Sequence, residues 1–344
     1  MAEKQLGDNE TMPKRFPITE IILSIIGKSK MQLIFFLIFL LFFPFLAPFL
    51  KDFDAVVQMR IAQNPNYNWP QYEDLWLACY TCVILICILF SMKFLLKSFS
   101  ERIIAPKYTG KERIVRSEKL IESLFKTLYF TFAFVFGYWV AKDSYWLSPS
   151  LGGHGSVDEM WRDFPFQSYE TFPYIRQYIL IQLGYHAQSF IVHIFSKPRN
   201  DFMEMLLHHS MTVWLVTSAY MMNCVVVSHL VLYTHDLSDL FVCLTRTLMD
   251  TRHKYITFVT YIGIMITWAY MRLYIFPFDL MRVGSYYGNP VAHEVYGLGI
   301  LSAMVHVLLV LHIYWYILLI KMGFKFIKSG DPVDTQRKLN EEAK

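Results

Sequence analysis

Long apolar runs recur along the chain, and each is close to the roughly 20 residues that an α-helix needs to span a membrane. The runs lie at about 32–50, 74–96, 121–141, 174–195, 203–222, 224–245, 255–276 and 297–320. Only 17% of the 344 residues are charged, against about 25% in an ordinary soluble protein. Because backbone polar groups in lipid must be satisfied internally, the pattern predicts an all-α, polytopic membrane helical bundle with about eight transmembrane helices.

The basic residues predict the orientation of these spans. Eight spans place both termini on one side, and the loops of that side then hold 23 lysines and arginines against 5 on the other side. Cytosolic loops are enriched in these residues, so we expect both termini to be cytosolic. If the run at 32–50 lies on the membrane surface instead, seven spans remain and the N-terminus is lumenal. Asn9-Glu10-Thr11 is a glycosylation sequon. A glycan on Asn9 would show that the N-terminus is lumenal and would contradict the eight-span prediction.

The remaining composition excludes some classes of function. The net charge of +4 is explained by the loops, so it gives no indication of nucleic-acid binding. All five cysteines lie in apolar runs, including the pair Cys79 and Cys82. With no second pair nearby, these thiols are expected to pack in the bundle rather than to bind a metal.

Five ionisable side chains lie inside two consecutive apolar runs. His208 and His209 belong to the first run, and His235, Asp236 and Asp239 belong to the second. A carboxylate near the centre of a span costs roughly 2.5–3.5 kcal/mol on insertion scales. Such residues are therefore candidates for function before any other property is considered.

The spacing of these five residues predicts that they share one depth. A turn around Asn223 makes the two helices antiparallel, and His208 lies 15 residues before it, whereas His235 and Asp239 lie 12 and 16 residues after it. At about 1.5 Å per residue both clusters are about 18–24 Å from the turn. His235 and Asp239 are i,i+4, and Asp236 and Asp239 are i,i+3, so we expect the three to share a face.

This constellation suggests acid–base or nucleophilic chemistry. A carboxylate beside an imidazole orients the ring and raises its basicity. One alternative is an interhelical hydrogen-bond network that only holds the hairpin together. A second alternative is a metal centre, but the 11 histidines are mostly scattered and form no closely spaced boxes. We therefore expect no metal site.

The stretch 199–246 resembles the Lag1 motif, which marks ceramide synthases within the TLC-domain family. The resemblance rests on Asp201-Phe202-Met203-Glu204-Met205, His208-His209, Thr212, Leu215, Ser218, Asn223, His235-Asp236 and Asp239. More scattered similarity extends it to about residues 115–325, through Lys119, Glu122, Ser123, Lys126, Phe130, Trp161, Phe164, Pro165, Gln167, Arg272, Pro277, His312 and Trp315. Val226 and Ser228 stand where the family usually has Arg and Gly, and Cys243 stands where it usually has Glu.

The resemblance implies an organisation and an activity. The parts are a cytosolic N-terminal segment (1–31), two spans with a basic loop (32–114), a six-span TLC domain enclosing a lipid cavity (115–325) and a polar tail (326–344). The implied activity is that of a ceramide synthase in the endoplasmic reticulum membrane, which transfers a fatty acyl group from acyl-CoA to the amine of a sphingoid base. Acyl-CoA is then a co-substrate, and no tightly bound cofactor is expected.

The resemblance also implies roles and partners. His208 or His209 is the base or transient acyl acceptor, Asp236 and Asp239 orient and charge-stabilise it, and His235 belongs to the same network. His208 is preferred because it lies on the stripe of Thr212. Membrane lipids are expected around the bundle, and a homodimer, a heterodimer or a small accessory subunit are all left open. The alternative is a non-enzymatic TLC-domain protein that senses or traffics lipids, a class that often lacks the paired histidines.

Overall fold

The computed structural model describes residue 37 and residues 52–169, 172–196, 201–286 and 297–329. The chain is built from helices, which we number in order. They are α1 (described over 52–63), α2 (Leu75–Leu95), α3 (Lys97–Ile103), α4 (Gly110–Ala141), α5 (Ile175–Ile194), α6 (Phe202–Met221), α7 (Val225–Leu248), α8 (Lys254–Thr267) with a π-helical continuation (Trp268–Tyr286), and α9 (Leu298–Ser329).

The prediction of an all-α polytopic membrane protein is confirmed. Among the described residues, α2, α4, α7, α9 and the combined α8 and π-helix are long and apolar enough to cross a membrane. Helices α5 and α6 are 20 residues each, which is about 30 Å, and they are more polar. Together these helices match the second to eighth predicted runs. The first run, 32–50, lies outside the described residues except for residue 37.

The seventh run continues beyond its predicted end. The predicted run ends at residue 276, directly before Pro277, and proline usually interrupts an α-helix because it has no N–H and its ring clashes with the preceding turn. The structure instead keeps the chain helical as far as Tyr286, and Trp268–Tyr286 is wound as a π-helix. A π-helix bonds i to i+5 and therefore has a wider turn than an α-helix. The wide turn accommodates the proline, so the predicted boundary was wrong.

Two of the predicted cytosolic loops, the one before α4 and the one after α7, contact each other at one end of the bundle. The backbone N–H of Ala105 donates to the carbonyl of Asp250 at 2.9 Å, and Arg116 forms an ion pair with the Asp250 carboxylate at 2.7 Å. Ile104 and Thr251 form an isolated antiparallel bridge. The loop before α4 is thereby tied to the loop after α7.

The opposite loops lie at the other end. Asn223, which is fully buried, donates from Nδ2 to the Tyr67 hydroxyl at 2.8 Å and to the Pro165 carbonyl at 2.7 Å. Tyr67 in turn donates to the carbonyl of Gln167 at 2.6 Å. Three segments that are distant in sequence therefore close this end together. The two groups of loops alternate between the ends, as a chain that repeatedly crosses a membrane requires.

Candidate active site

The turn between α6 and α7 positions the candidate site. The turn occupies residues 222–224, and Asn223 has a φ of 60°, a left-handed conformation that asparagine tolerates better than most residues. The short turn confirms the antiparallel hairpin. His208 on α6 and Asp239 on α7 consequently line the same cavity, which has a volume of about 170 Å³. We call it the polar cavity, and Asp201, Arg246, Trp268, Arg272 and Trp315 also line it.

A second cavity lies further along the same helices. It has a volume of about 280 Å³, and Ser228 and Ser302 are the only hydroxyl-bearing side chains among its lining residues, none of which is charged; we call it the apolar cavity. In and beside α7, the lining residues of the apolar cavity fall within 224–232, whereas those of the polar cavity fall within 239–249. The same division occurs on α9, where the lining residues are 298–305 and 315–322. The two cavities are therefore successive chambers, and the polar chamber is at the end with the basic loops.

Asp239 is paired with Arg272 from the π-helix. Its Oδ2 atom lies 2.7 Å from Arg272 Nη2, and the two side chains are 27% and 3% exposed. Arg272 also donates from Nε to the Ser238 hydroxyl at 2.6 Å, and its guanidinium lies 4.1 Å from the centre of the Trp268 ring. This buried cation therefore holds one carboxylate at the wall of the polar cavity. Pairing is the usual condition for a charge at this depth.

The two adjacent histidines point in different directions. The His208 ring lies 5.2 Å from the Trp315 ring, and both line the polar cavity. His208 Nδ1 is buried and has no hydrogen-bond partner in the described part of the chain. His209 is turned toward His193 of α5, with ring centres 5.6 Å apart. His208 is consequently the histidine of the pair that faces the cavity.

Asp236 is directed away from both histidines. Tyr178 donates its hydroxyl to Asp236 Oδ2 at 2.7 Å, and Gln182 Nε2 donates to Oδ1 and Oδ2 at 2.8 and 2.6 Å. Tyr129 completes the network by donating to Gln182 Oε1 at 2.9 Å. Asp236 therefore bonds to α5, whereas Asp239 bonds to the π-helix. The expectation that His235, Asp236 and Asp239 meet on one shared face is corrected, because neighbouring helices lie on both sides of α7.

His235 is engaged at both ring nitrogens. Nδ1 lies 2.6 Å from the Val231 carbonyl oxygen, and Nε2 lies 3.0 Å from Nε2 of His312 on α9. His235 therefore joins α7 to α9. In this arrangement neither of its ring nitrogens is available to a substrate.

Arg272, Gln182 and His312 contact the predicted residues but were not among the five side chains that the sequence predicted for the site. Arg272 is the only charged residue in the run 255–276, and the cost of a charge at membrane depth was a sufficient signal to select it. Gln182 and His312 carried weaker signals, because a single amide or imidazole in a span is often a packing residue. Their partners become apparent only when helices distant in sequence are brought together.

The Asp236 network provides a first prediction about stability. In Asp236→Asn an amide N–H₂ must face Gln182 Nε2 in either orientation, because that nitrogen contacts both carboxylate oxygens. We expect the variant to lose about 1–3 kcal/mol of stability, the cost of an unsatisfied buried polar group. The double variant Asp236→Asn with Gln182→Glu exchanges donor and acceptor, so it should recover most of the loss. Thermal unfolding of the purified protein measures both changes.

The same pair of variants shows whether this network is the right explanation. Tyr178→Phe is the matched control, because it removes one donor to Asp236 and keeps both contacts between Asp236 and Gln182. Gln182 loses only its longer bond of 3.1 Å to the Tyr178 hydroxyl, so a smaller loss is expected. If the double variant unfolds at the same temperature as Asp236→Asn, or lower, the donor–acceptor account of Asp236 is contradicted.

The residues that depart from the Lag1 pattern lie in three different settings. Val226 is fully buried, and Cys243 packs in an apolar cluster that includes Phe125 and Tyr185. Ser228 lines the apolar cavity and donates to its own helix at the Cys224 carbonyl. Neither Val226 nor Cys243 lines a cavity, so these two departures leave the polar chamber itself unchanged.

Comparison with known proteins agrees with this architecture. The TLC domain matches residues 119–321, which is more than half of the chain. The chain therefore belongs to the TLC-domain family. The match begins inside α4 and ends inside α9, so it includes every side chain of the candidate site and all lining residues of both cavities except Met322.

Several curated relatives carry the name ceramide synthase. Ceramide synthase hyl-2 of Caenorhabditis elegans is 26% identical over 298 residues, which cover 81% of this chain and 87% of the relative. Ceramide synthase hyl-1 of the same organism is 26% identical over 240 residues, or 66% of this chain and 62% of the relative. Ceramide synthase 4 of Mus musculus is 25% identical over 234 residues, or 68% and 57%. The chain thus spans less than two thirds of two of these relatives.

Proposed function

We propose that the chain is a ceramide synthase, an acyl-CoA-dependent sphingosine N-acyltransferase. The observation that carries the proposal is the succession of chambers, with His208 and the Asp239–Arg272 pair lining a polar cavity that precedes an apolar one. Such a site suits substrates whose reacting groups are polar and whose tails are long and apolar. The names of the TLC-domain relatives support the same activity.

The reaction requires a base and a place for anionic groups. The sphingoid ammonium must lose a proton before its nitrogen can attack the thioester carbon. A C–N bond then forms, the nitrogen loses a second proton, the C–S bond breaks, and that second proton goes to the sulfur, so that CoA leaves as the thiol. This exchange balances without an oxidant or reductant, so acyl-CoA is a co-substrate and a tightly bound cofactor has no role in the proposal.

His208 is the proposed proton acceptor or transient acyl acceptor. Its free Nδ1 and its place on the cavity wall support this role over His209. Asp239 is proposed to stabilise the positive charge that develops on the His208 ring, and Arg272 holds that carboxylate in place. Asp236 and His235 then act as positioning residues, because their polar atoms bond to α5 and α9.

The proposed direction of substrate entry follows from charge and polarity. CoA is anionic and water-soluble, so it approaches from the side of the basic loops, and Arg246 lies on the polar cavity wall at that end. The long acyl and sphingoid chains extend toward the apolar cavity. Residence in the endoplasmic reticulum membrane with both termini in the cytosol is part of this proposal.

The proposal is tested with the purified chain in detergent or nanodiscs. Sphinganine and a series of acyl-CoA lengths are supplied, and released CoA thiol and ceramide are both measured. Equal amounts of the two products are expected for at least one acyl length. If the chain binds sphinganine or acyl-CoA but neither product forms, the function is lipid binding or transport, which the apolar cavity alone would support.

A further inference from the structure

His312 of α9 lies beside the proposed catalytic residues and has no role in the mechanism so far. It is fully buried at 0% exposure, and its Nε2 atom lies 3.0 Å from His235 Nε2. His312 Nδ1 is also buried and makes no hydrogen bond among the described residues. A buried polar atom without a partner is uncommon, and each instance calls for an explanation.

The protonation of this histidine pair follows from its contacts. A carbonyl oxygen only accepts, so the Val231 carbonyl requires a proton on His235 Nδ1. In the neutral ring His235 Nε2 is then an acceptor, and the proton between the rings belongs to His312 Nε2. The neutral His312 ring therefore has an unprotonated Nδ1. The two histidines therefore donate in one direction, from His312 to His235 and from His235 to the Val231 carbonyl. His312 Nδ1 is left with a lone pair, which can only accept a hydrogen bond.

The location of the lone pair favours a contact with a lipid head group. His235 and His312 each lie between the stretches of their helices that line the polar and apolar cavities. The ring of Phe276, which lines the apolar cavity, lies 5.2 Å from the His235 ring and 5.3 Å from the His312 ring. Trp268, which lines the polar cavity, donates its indole N–H to the His312 carbonyl at 3.1 Å. The pair thus lies between the two chambers, in contact with one lining residue of each.

We infer that His312 Nδ1 accepts a hydrogen bond from the ammonium or a hydroxyl of the sphingoid base, which makes His312 a substrate-binding residue. This inference rests on the proposed function. Where the polar and apolar parts of acyl-CoA meet, its thioester has hydrogen-bond acceptors but no donor. The N–H groups of CoA lie beyond the sulfur atom, on the polar side. The sphingoid base carries its ammonium and hydroxyls on the first carbons of the chain. It is therefore the substrate that supplies a donor where the acceptor lies.

Two substitutions of His312 separate the two ring nitrogens. His312→Gln retains a donor at the ε position for His235 but has no acceptor at the δ position. His312→Asn retains an oxygen at the δ position but has no donor for His235. His306→Gln is the control on the same helix, because His306 Nδ1 lies 2.7 Å from the carbonyl of Ser302 and has no place in the proposed site.

Steady-state kinetics with sphinganine and acyl-CoA provide the first measurement. His312→Gln should raise the KM for sphinganine about tenfold, the equivalent of one lost hydrogen bond, with the KM for acyl-CoA unchanged. His312→Asn and His306→Gln should keep the KM for sphinganine near the wild-type value. A wild-type KM in His312→Gln overturns the inference. A raised KM for sphinganine in His312→Asn alone also overturns the inference, because His312 would then act only through its contact with His235.

A binding measurement keeps this inference separate from the proposed function. Sphinganine-induced thermal stabilisation of the purified chain is recorded without acyl-CoA, for the wild type and the three variants. If the wild type shows no turnover, the proposed function fails, and a reduced shift in His312→Gln alone would still place a lipid donor at Nδ1. An equal shift in the wild type and His312→Gln rejects the contact whatever the turnover.

Discussion

Replacing His208 by alanine is expected to reduce acyl transfer by about 100-fold or more, the usual contribution of a general acid–base group. The fold should be retained, because His208 Nδ1 has no hydrogen-bond partner in the described part of the chain that the substitution would leave unpaired. CoA release by the purified variant measures the rate, and thermal unfolding of the same preparation measures the stability. The expected result is a folded protein that no longer turns over.

A matched control distinguishes this role from general sensitivity of buried histidines. His229 on α7 is fully buried, and its Nε2 atom lies 3.0 Å from the Gly137 carbonyl. His229→Gln keeps a donor at that position and should remain active. If His208→Ala retains its turnover, His208 is removed from the mechanism and His209, whose ring centre is 5.3 Å away, becomes the next histidine to test.

Replacing Asp239 by leucine is expected to cost both stability and activity. The substitution leaves the Arg272 guanidinium buried at 3% exposure without its carboxylate, and breaking a buried ion pair costs about 3–5 kcal/mol. Arg272→Met should cost less, because the Asp239 side chain that it leaves behind is 27% exposed and retains some contact with solvent. The thermal unfolding temperature should therefore fall more in Asp239→Leu than in Arg272→Met.

The double variant Asp239→Leu with Arg272→Met separates folding from catalysis. Replacing both charges by apolar groups of similar size is often neutral for stability, since neither charge is left unpaired. We expect the double variant to unfold near the wild-type temperature and to remain inactive in the CoA release assay. Recovery of turnover together with stability would show that the pair is structural and that the reaction does not need the Asp239 carboxylate.

The arrangement divides the five predicted residues into two groups. His208 and Asp239 line the polar cavity, whereas His209, His235 and Asp236 do not belong to its lining. The latter three contact α5 or α9, so their substitution is expected to act through the shape of the site. This division explains why a cluster that is compact in sequence need not act as one chemical unit.

The two cavities differ in how far their linings depart from the Lag1 pattern. Arg246 places a positive charge on the polar cavity wall. Ser228, which departs from the family pattern, lines the apolar cavity. We therefore expect differences between this chain and its relatives to affect the choice of lipid chain more than the acyl transfer step.

Several features of this protein could be predicted from the sequence by itself. Apolar runs near 20 residues located α2 and α4 to α9 within a few residues, except where a helix extended into a loop. The short turn at Asn223 required an antiparallel hairpin, and counting residues along two rigid helices then placed His208 and Asp239 at one depth. These results depend only on distances along a helix axis, which the rise per residue determines.

Only the tertiary structure decided which neighbour each side chain meets. Asp236 and Asp239 are three residues apart, yet one bonds to α5 and the other to Arg272. His235 and His312 are 77 residues apart, yet their Nε2 atoms lie 3.0 Å from each other. Rotation about the helix axis and the choice of adjacent helices depend on packing across the whole bundle. The spacing of residues along one helix does not determine that rotation or those neighbours. The set of side chains that form the site could therefore be identified only from the tertiary structure.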